Sequence, residues 1–146
     1  MRLLRLVVCS AVASAVLAPA AMSDHSAARP TLTAHSSRFG KVLFDGRGFV
    51  LYVFTRDHRR SACYGACAKA WPPYFTPRGA LRVGPGVKRS LLGTVTRRNG
   101  KRQVTYAGRP LYYYVGDRSA GQILCQNVDE FGGRWLILRP SGKLVR

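Results

Sequence analysis

Residues 51–57 read LYVFTRD and residues 111–117 read LYYYVGD, so one pattern, Tyr-x-aromatic-x-x-Asp, occurs twice at an offset of 60. In a β-strand, residues two apart lie on one face, so each copy sets two rings side by side and places an acid just beyond the strand. Self-similarity of this kind indicates a repeated structural unit. We therefore predict a mostly β fold, a small single domain of antiparallel hairpins from two pseudo-repeats, with one short helix.

The similarity extends to both sides of the repeated pattern. Upstream, Phe44-x-Gly46-Arg47 matches Tyr106-x-Gly108-Arg109, with two extra residues in the first copy. Downstream, Trp71 aligns with Trp135 once the second copy gains four residues. The complete set of motif residues is Tyr52, Phe54, Asp57, Trp71, Tyr112, Tyr114, Asp117 and Trp135. We expect Tyr52–Trp71 and Tyr112–Trp135 to follow the same backbone path about a shared interior.

Turn signals divide the remaining sequence into further β elements. Asp45-Gly46-Arg47-Gly48 separates two β-favouring runs and predicts a hairpin. Asn99-Gly100 separates Leu91–Arg97 from Arg102–Tyr106, and this dipeptide favours a two-residue turn with positive φ angles. The elements predicted in addition are a closing strand pair at 134–138 and 143–145 and a short helix within Ala62–Ala70.

The first 37 residues are predicted to lie outside the folded domain. A basic start, the apolar run Leu6–Leu17 and the small residues Ala18-Pro19-Ala20 indicate a signal peptide at 1–20. Because that run is shorter than the roughly 20 residues that span a bilayer, we expect no transmembrane segment in the mature chain. Cys9 lies too early in the leader for lipidation. Residues 21–37 are predicted to be a flexible spacer, and the domain to occupy 38–146 with halves of about 38–74 and 91–146.

The net charge of the sequence indicates the class of partner to expect. The sequence has 24 Lys and Arg against 6 Asp and Glu, a formal net charge of +18. For an exported protein, the polyanions to expect are envelope polymers or lipid headgroups, bound weakly by charge, and not a specific nucleic acid. Candidate contacts surround the second hairpin turn: Arg97, Arg98, Lys101 and Arg102. The alternative is a solvated turn with interchangeable charges.

The repeated Tyr-x-aromatic-x-x-Asp unit has two interpretations. In the first, the rings fill the core and the Asp accepts backbone N–H groups of a turn. In the second, the ring faces and the carboxylate hold a sugar or a cation. We favour the first interpretation because Leu51 and Val53 also make the opposite strand face apolar.

Several of these motifs together resemble a known family. They are the two Tyr-x-aromatic-x-x-Asp units, the stretch Cys63-x-x-x-Cys67-x-x-x-Trp71-Pro72-Pro73, and the later segments 108–114 and 131–135. This combination resembles the bacterial secreted-repeat family, predicted lipoproteins with a Yx(FWY)xxD motif. The resemblance implies export and no established activity. Two features depart from the family: a well-placed lipidation cysteine is missing, and Cys125 lies in a segment that is usually free of cysteine.

The cysteines leave two pairings open. In an oxidising compartment we expect Cys63 to bond to Cys67, with Gly65 bending the chain so that the sulfurs meet. The rival pairing joins Cys125 to one of them. A zinc site formed by the three cysteines and His58 is not favoured, and neither is metal binding by His25 and His35.

Known catalytic patterns are not found in the sequence, so we predict no catalytic residue, no cofactor and no metal. The favoured function is an exported, non-enzymatic binding or structural module of unknown ligand, periplasmic or extracellular and associated with the envelope or secreted. The alternative is an extracytoplasmic thiol–disulfide or electron-transfer accessory protein that uses Cys63 and Cys67.

Overall fold

A computed structural model of the chain describes residues 29 and 31–146. The predicted signal peptide, Cys9, His25 and most of the predicted spacer lie outside the described residues. The strands are β1 (Leu32–Ser37), β2 (Gly40–Asp45), β3 (Tyr52–Phe54), β4 (Leu92–Thr96), β5 (Arg102–Tyr106), β6 (Arg109–Pro110), β7 (Val128–Glu130) and β8 (Gly133–Ile137). One short α-helix, α1, spans Ala66–Ala70 within the predicted region. The mostly β class with one short helix is thus confirmed.

The strands form three small antiparallel sheets. β1 pairs with β2, β4 pairs with β5 and β5 with β6, and β8 lies between β3 and β7. Hairpin β1–β2 in the first half therefore corresponds to hairpin β4–β5 in the second. The pairing of β3 with β8 joins the first half of the chain to the second.

The spacer was predicted to continue to Ser37, and this boundary is wrong. Leu32–Ser37 form β1, which pairs with β2 along its full length from Leu32 opposite Asp45 to Ser37 opposite Gly40. Leu32 is fully buried and Thr33 is nearly so, whereas His35 is exposed. A mostly polar segment forms this strand because β2 satisfies its backbone groups and its first residues enter the core.

The two predicted hairpin turns differ in detail from the expectation. Around Asp45-Gly46-Arg47-Gly48 the chain does reverse, and Phe44 bridges Val50, but β3 takes its main partner from β8. Hairpin β4–β5 forms as predicted, although its turn is not the expected two-residue type. Of the central residues only Gly100 has a positive φ, of 78°, and Arg97 N–H donates to the Lys101 carbonyl at 2.9 Å. Longer turns of this kind place glycine at the single left-handed position.

A pseudo-twofold arrangement relates the two motif copies. Tyr52 and Tyr112 face each other in an antiparallel bridge, and each N–H donates to the carbonyl of the other at 2.9 Å. On their outer sides, Tyr52 pairs with Ile137 and Tyr112 with Pro73. Pro73 and Ile137 each lie two residues after a tryptophan, so the outer partners are also equivalent. The two halves therefore share one interior.

The prediction of one backbone path repeated throughout is wrong between the Asp and the Trp of each copy. The first half forms α1 there, whereas the second half forms β7 and the start of β8. The first segment is rich in alanine and is closed by a disulfide, and the second turns at Asn127 and Phe131, both with positive φ. The four extra residues of the second copy fall within this divergent stretch.

The upstream alignment also shifts by one residue. Leu43 N–H donates to the Leu138 carbonyl, as Val104 N–H donates to the Tyr74 carbonyl. These equivalent bonds match Leu43 to Val104, an offset of 61, whereas the sequence alignment of Phe44 with Tyr106 uses 62. In three dimensions Leu43 is therefore equivalent to Val104, and Phe44 is not equivalent to Tyr106.

Both faces of the first motif strand, β3, are buried. Tyr52 and Phe54 pack into one cluster with Trp71 and Trp135, while Leu51 lies in a second cluster. The other principal members of the second cluster are Leu32, Leu43, Val53, Val104, Tyr106, Leu111, Leu136 and Leu138. A strand buried on both faces has no free face on which to hold a ligand.

Candidate functional site

The tyrosine of each motif copy bonds to the aspartate of the other copy. The Tyr52 hydroxyl donates to Asp117 Oδ2 at 2.7 Å, and the Tyr112 hydroxyl donates to Asp57 Oδ2 at 2.8 Å. The two bonds are equivalent under the pseudo-twofold relation. The tyrosine and the aspartate of one motif copy therefore do not bond to each other. Each bonds to its counterpart in the other copy.

Each motif aspartate also closes a turn in its own half. Ala62 N–H donates to Asp57 Oδ1 at 2.7 Å, and Leu124 N–H donates to Asp117 Oδ1 at 3.0 Å. Burial raises the pKa of Asp57 to about 6, against the hydrogen bonds and the nearby charge of Arg97, which lower it. Burial likewise raises the pKa of Asp117. Both carboxylates are thus occupied by groups of the fold.

Four aromatic rings form one continuous stack at the centre of the domain. The Trp71 and Trp135 rings lie 4.0 Å apart between centroids, with an angle of 4° between their planes. Phe54 stacks on Trp135 at 4.3 Å, and Tyr114 lies against Trp71 at 4.7 Å. Each outer ring therefore contacts the tryptophan of the other half, and the stack joins the halves a second time.

The remaining motif tyrosines meet the stack edge-on. Tyr52 contacts Trp71 and Tyr112 contacts Trp135, each at 5.2 Å between centroids. The Trp71 Nε1 donates to Glu130 Oε2 at 2.7 Å, which satisfies a buried indole N–H. Edge-to-face and stacked geometries are those that aromatic pairs prefer. Because Tyr52, Tyr112, Trp71 and Trp135 are all fully buried, this set of residues is core and not a ligand groove.

The cysteines form the first of the two pairings that the sequence left open. Cys63 and Cys67 are joined in a disulfide with 5.3 Å between their Cα atoms, and Gly65 between them has a φ of 57°. Both are buried, at 0 and 7 % exposure. Cys125 is free and half-buried, beside the Tyr114 hydroxyl, so the rival pairing is wrong.

The predicted polyanion contacts separate into a buried residue and an exposed set. Arg97 is only 5 % exposed, so the prediction that it is a surface contact is wrong. Its guanidinium donates to Ser61 Oγ, to Gln103 Oε1 at 2.7 Å and to the Cys63 carbonyl at 2.6 Å, and these buried acceptors hold it inside.

The exposed cations lie at and beside the β4–β5 turn. Arg98, Lys101 and Arg102 are exposed, and together with exposed Arg60 we name them the basic tip. Arg60 comes from the loop after Asp57, and it lines one cleft with Arg98. Arg60 was not among the contacts predicted from the sequence, since it lies 38 positions before Arg98. The only sequence signal was its place in the run His58-Arg59-Arg60.

The carboxylates of the described region are engaged by groups outside the basic tip. Asp45 binds Arg47 and the Tyr113 hydroxyl, and Asp129 binds Arg134. The motif aspartates and Glu130 accept hydrogen bonds from tyrosine and tryptophan, as described above. Across residues 31–146, ion pairs with carboxylates form at Arg47 and Arg134, and none involves the basic tip. Its charge therefore faces solvent without a counter-ion among the residues that the structure describes.

In the part of the chain that the structure describes, the possible metal ligands are dispersed. Within it, His, Cys, Asp and Glu do not gather in groups of three that could hold a metal ion. Among the described residues there is likewise no helix with the length and apolarity needed to cross a membrane.

Reciprocal bonds between two copies of one motif, around a shared aromatic stack, define the class: a two-repeat β domain with a local disulfide. A family model described as a secreted repeat of unknown function matches residues 34–74 and 93–139. The match covers more than half of the chain, so the protein belongs to this family and is exported. Neither the curated proteins nor the solved structures contain a match.

Proposed function

We propose that this exported protein is a non-enzymatic module of the cell envelope that binds anionic polymers through its basic tip. The observation that carries the proposal is the set of exposed cations, Arg60, Arg98, Lys101 and Arg102, which have no carboxylate partner in the described region. Unpaired cations on one surface attract polyanions over several ångströms and do so without a shaped pocket.

Two aromatic side chains support binding at the same place. Arg98 lies 4.7 Å from the centroid of the Tyr64 ring, and the Lys101 ammonium lies 5.3 Å from that of Phe75, which is 37 % exposed. Contact with a ring face restrains a long cationic side chain. The tip therefore presents its charge with less loss of conformational entropy on binding than freely mobile side chains would.

The motif residues are the less suitable place for a ligand. Tyr52, Tyr112 and both tryptophans are buried, and the two aspartates are bound to tyrosines of the opposite half. A sugar or cation at this position would have to replace core contacts. We therefore assign the motif to stability and the basic tip to binding.

The thiol–disulfide alternative is less well supported. Exchange requires a thiolate to reach one sulfur of the disulfide, and Cys63 and Cys67 are both buried. A disulfide that joins the turn before α1 to the first turn of α1 suits a structural staple. We propose that the disulfide holds the Cys63 carbonyl in position to accept the hydrogen bond from Arg97.

Retention on isolated cell envelopes tests the proposed function. The secreted protein is incubated with envelopes at increasing salt, and we compare the tip variant R98Q/K101Q/R102Q with the control variant K41Q/R118Q/K143Q, which removes the same charge from other exposed positions. Each basic residue near an anionic surface contributes about 1 kcal/mol, so the tip variant should bind roughly 100-fold more weakly. Retention should also fall steeply with salt.

Two results would contradict the proposal. Equal losses in both variants would mean that total charge matters and the tip does not. Retention that does not respond to salt would exclude charge as the attachment. Vesicles with and without anionic lipid, used in place of envelopes, separate polymer binding from binding to headgroups.

A further inference from the structure

A polar cleft lies beside the basic tip, between the loop after Asp57 and hairpin β4–β5. It has a volume of about 560 Å³, and its walls include Arg60, Ser61, Tyr64, Thr96, Arg97 and Arg98. We name it the arginine cleft. Three arginines and three hydroxyl groups line it, and none of the carboxylates in the described region does. Its walls therefore supply hydrogen-bond donors and positive charge.

Arg97 gives this cleft a buried positive charge. Its guanidinium bonds only to neutral acceptors, Ser61, Gln103 and the Cys63 carbonyl, and its Nε has no hydrogen-bond partner within the described part of the chain. Burial of a charge without a contacting counter-ion is costly. An anion bound in the cleft would offset part of that cost.

The nearest carboxylate reaches Arg97 only through intermediates. Asp57 accepts a bond from the Tyr112 hydroxyl, which lies 2.7 Å from Ser61 Oγ, and Ser61 in turn bonds to Arg97. Asp57 therefore acts on Arg97 only through space, by charge, and does not contact it. The positive charge of the cleft remains available to an anion from solvent.

Tyr64 restrains two of the arginines. Its ring centroid lies 4.3 Å from the guanidinium carbon of Arg97 and 4.7 Å from that of Arg98. The Arg98 backbone N–H also points to the Tyr64 hydroxyl, at 3.4 Å. Such cation–π contacts hold a guanidinium in one region of space before the ligand arrives.

The donors of the cleft match a phosphate group better than a carboxylate. A guanidinium presents a planar fork of N–H donors that fits phosphate oxygens in pairs, and one fork is enough for a carboxylate. The arginine cleft offers the exposed forks of Arg60 and Arg98 together with hydroxyl groups, so an anion with three or four oxygens can accept from several sides.

We propose that the arginine cleft binds a phosphate group, as a phosphate monoester or diester. This proposal rests on the proposed function and names the ligand class that the basic tip serves. Arg60 and Arg98 contact the phosphate oxygens, and Arg97 contributes its buried charge without leaving its internal partners.

Calorimetric titration of the secreted protein tests the proposal. Inorganic phosphate, glycerol phosphate and acetate are added at one fixed ionic strength, to the unaltered protein, to R60Q, to R98Q and to the control R118Q. We expect the two phosphates to bind at least tenfold more tightly than acetate, and R60Q and R98Q each to weaken phosphate binding about tenfold or more. R118Q should leave it unchanged. Unfolding midpoints of all variants verify that each is folded.

The outcomes separate this proposal from the proposed function. If acetate binds as tightly as phosphate, or if R60Q and R98Q behave as R118Q does, the phosphate site is wrong even where envelopes still retain the protein. If phosphate binds as predicted, poly(glycerol phosphate) and vesicles of phosphatidylglycerol distinguish a polymer source of the phosphate from a lipid one. If the unaltered protein binds phosphate but is not retained on envelopes, only the proposed function is contradicted.

Discussion

At the scale of single residues, two hydroxyl groups connect the halves of the molecule. The Tyr52 and Tyr112 hydroxyls reach aspartates 65 and 55 residues away in the sequence, and the first bond is buried and the second partly buried. A hydrogen bond to a buried charged group is worth more than one to a neutral group, because its loss leaves the charge unsolvated. These four side chains explain why the motif pairs a tyrosine with an aspartate.

Tyr52→Phe measures the strength of one such bond. The substitution keeps the ring in the stack and leaves Asp117 Oδ2 without its donor, so we expect the free energy of unfolding to fall by about 1 to 3 kcal/mol. Urea unfolding of both proteins provides the value. Tyr64→Phe removes a hydroxyl from a partly exposed position, where it accepts a long, exposed bond from the Arg98 N–H at 3.4 Å. It serves as the control, with a change below about 0.5 kcal/mol. Equal effects in both variants would contradict the role of the Tyr52 bond.

The raised pKa of Asp57 predicts that this residue stabilises the fold more at low pH than at neutral pH. Burial raises its pKa from 3.8 to about 6, so between these values the folded protein binds the proton more tightly than the unfolded chain does. The contribution of Asp57 to the free energy of unfolding is therefore largest below about pH 4 and is lost as the pH rises through about 6. Asp117 acts in the same direction.

Asp57→Asn isolates this contribution. We expect the difference in unfolding free energy between the unaltered protein and D57N to change in favour of D57N as the pH rises from about 4 to about 7. Urea unfolding at several pH values measures it. A difference that is constant with pH, or that changes in favour of the unaltered protein, would contradict a raised pKa at Asp57.

At the scale of elements, the hairpins and the helix show what local sequence determines. Asn99-Gly100 located the β4–β5 turn correctly, because turn residues act locally, but the turn type depends on the residues that flank it. The hydrogen bond from the Arg97 N–H to the Lys101 carbonyl closes a longer loop than the two-residue turn that the dipeptide predicted. Strand β1 was missed because its polar residues have no local β signal. It forms only because β2 supplies partners for its backbone.

The exchange of partners between halves could not be predicted from the sequence. The repeat identified Tyr52, Asp57, Tyr112 and Asp117 as related, yet the spacing within each copy suggests a local contact. Which aspartate a tyrosine binds depends on the antiparallel bridge between Tyr52 and Tyr112, a long-range pairing. In the same way Arg97 is buried because Ser61, far away in sequence, is its acceptor.

The disulfide before and within α1 has a testable contribution. Closing so short a loop should stabilise the fold by about 2 kcal/mol in the chain-entropy model, so Cys63→Ser with Cys67→Ser should lower the free energy of unfolding by about that amount. Cys125→Ser is the matched control and should change it by less. Mass analysis after mild reductant should find the disulfide intact in the folded protein. Rapid reduction would favour the thiol–disulfide function.

At the scale of the whole molecule, the two halves cannot be separated without loss of their cores. The aromatic stack alternates between halves, in the order Phe54, Trp135, Trp71 and Tyr114. β3 pairs with β8 across the same boundary, and the Tyr–Asp bonds cross it twice. A single half would expose rings and leave each motif carboxylate without its tyrosine donor. We therefore expect the fold to unfold as one cooperative unit. Both halves contribute to the basic tip, the second half with Arg98, Lys101 and Arg102 and the first half with Arg60.

Native-state hydrogen exchange tests this unity most directly. The amides of β2 report on the first half and those of β5 on the second, and both are followed at increasing urea in the unaltered protein and in Y52F. We predict that the slowest amides of both strands exchange with one common free energy, and that Y52F lowers it equally in both. Opening of one hairpin while the other remains protected, or a Y52F effect confined to the first half, would contradict the shared core.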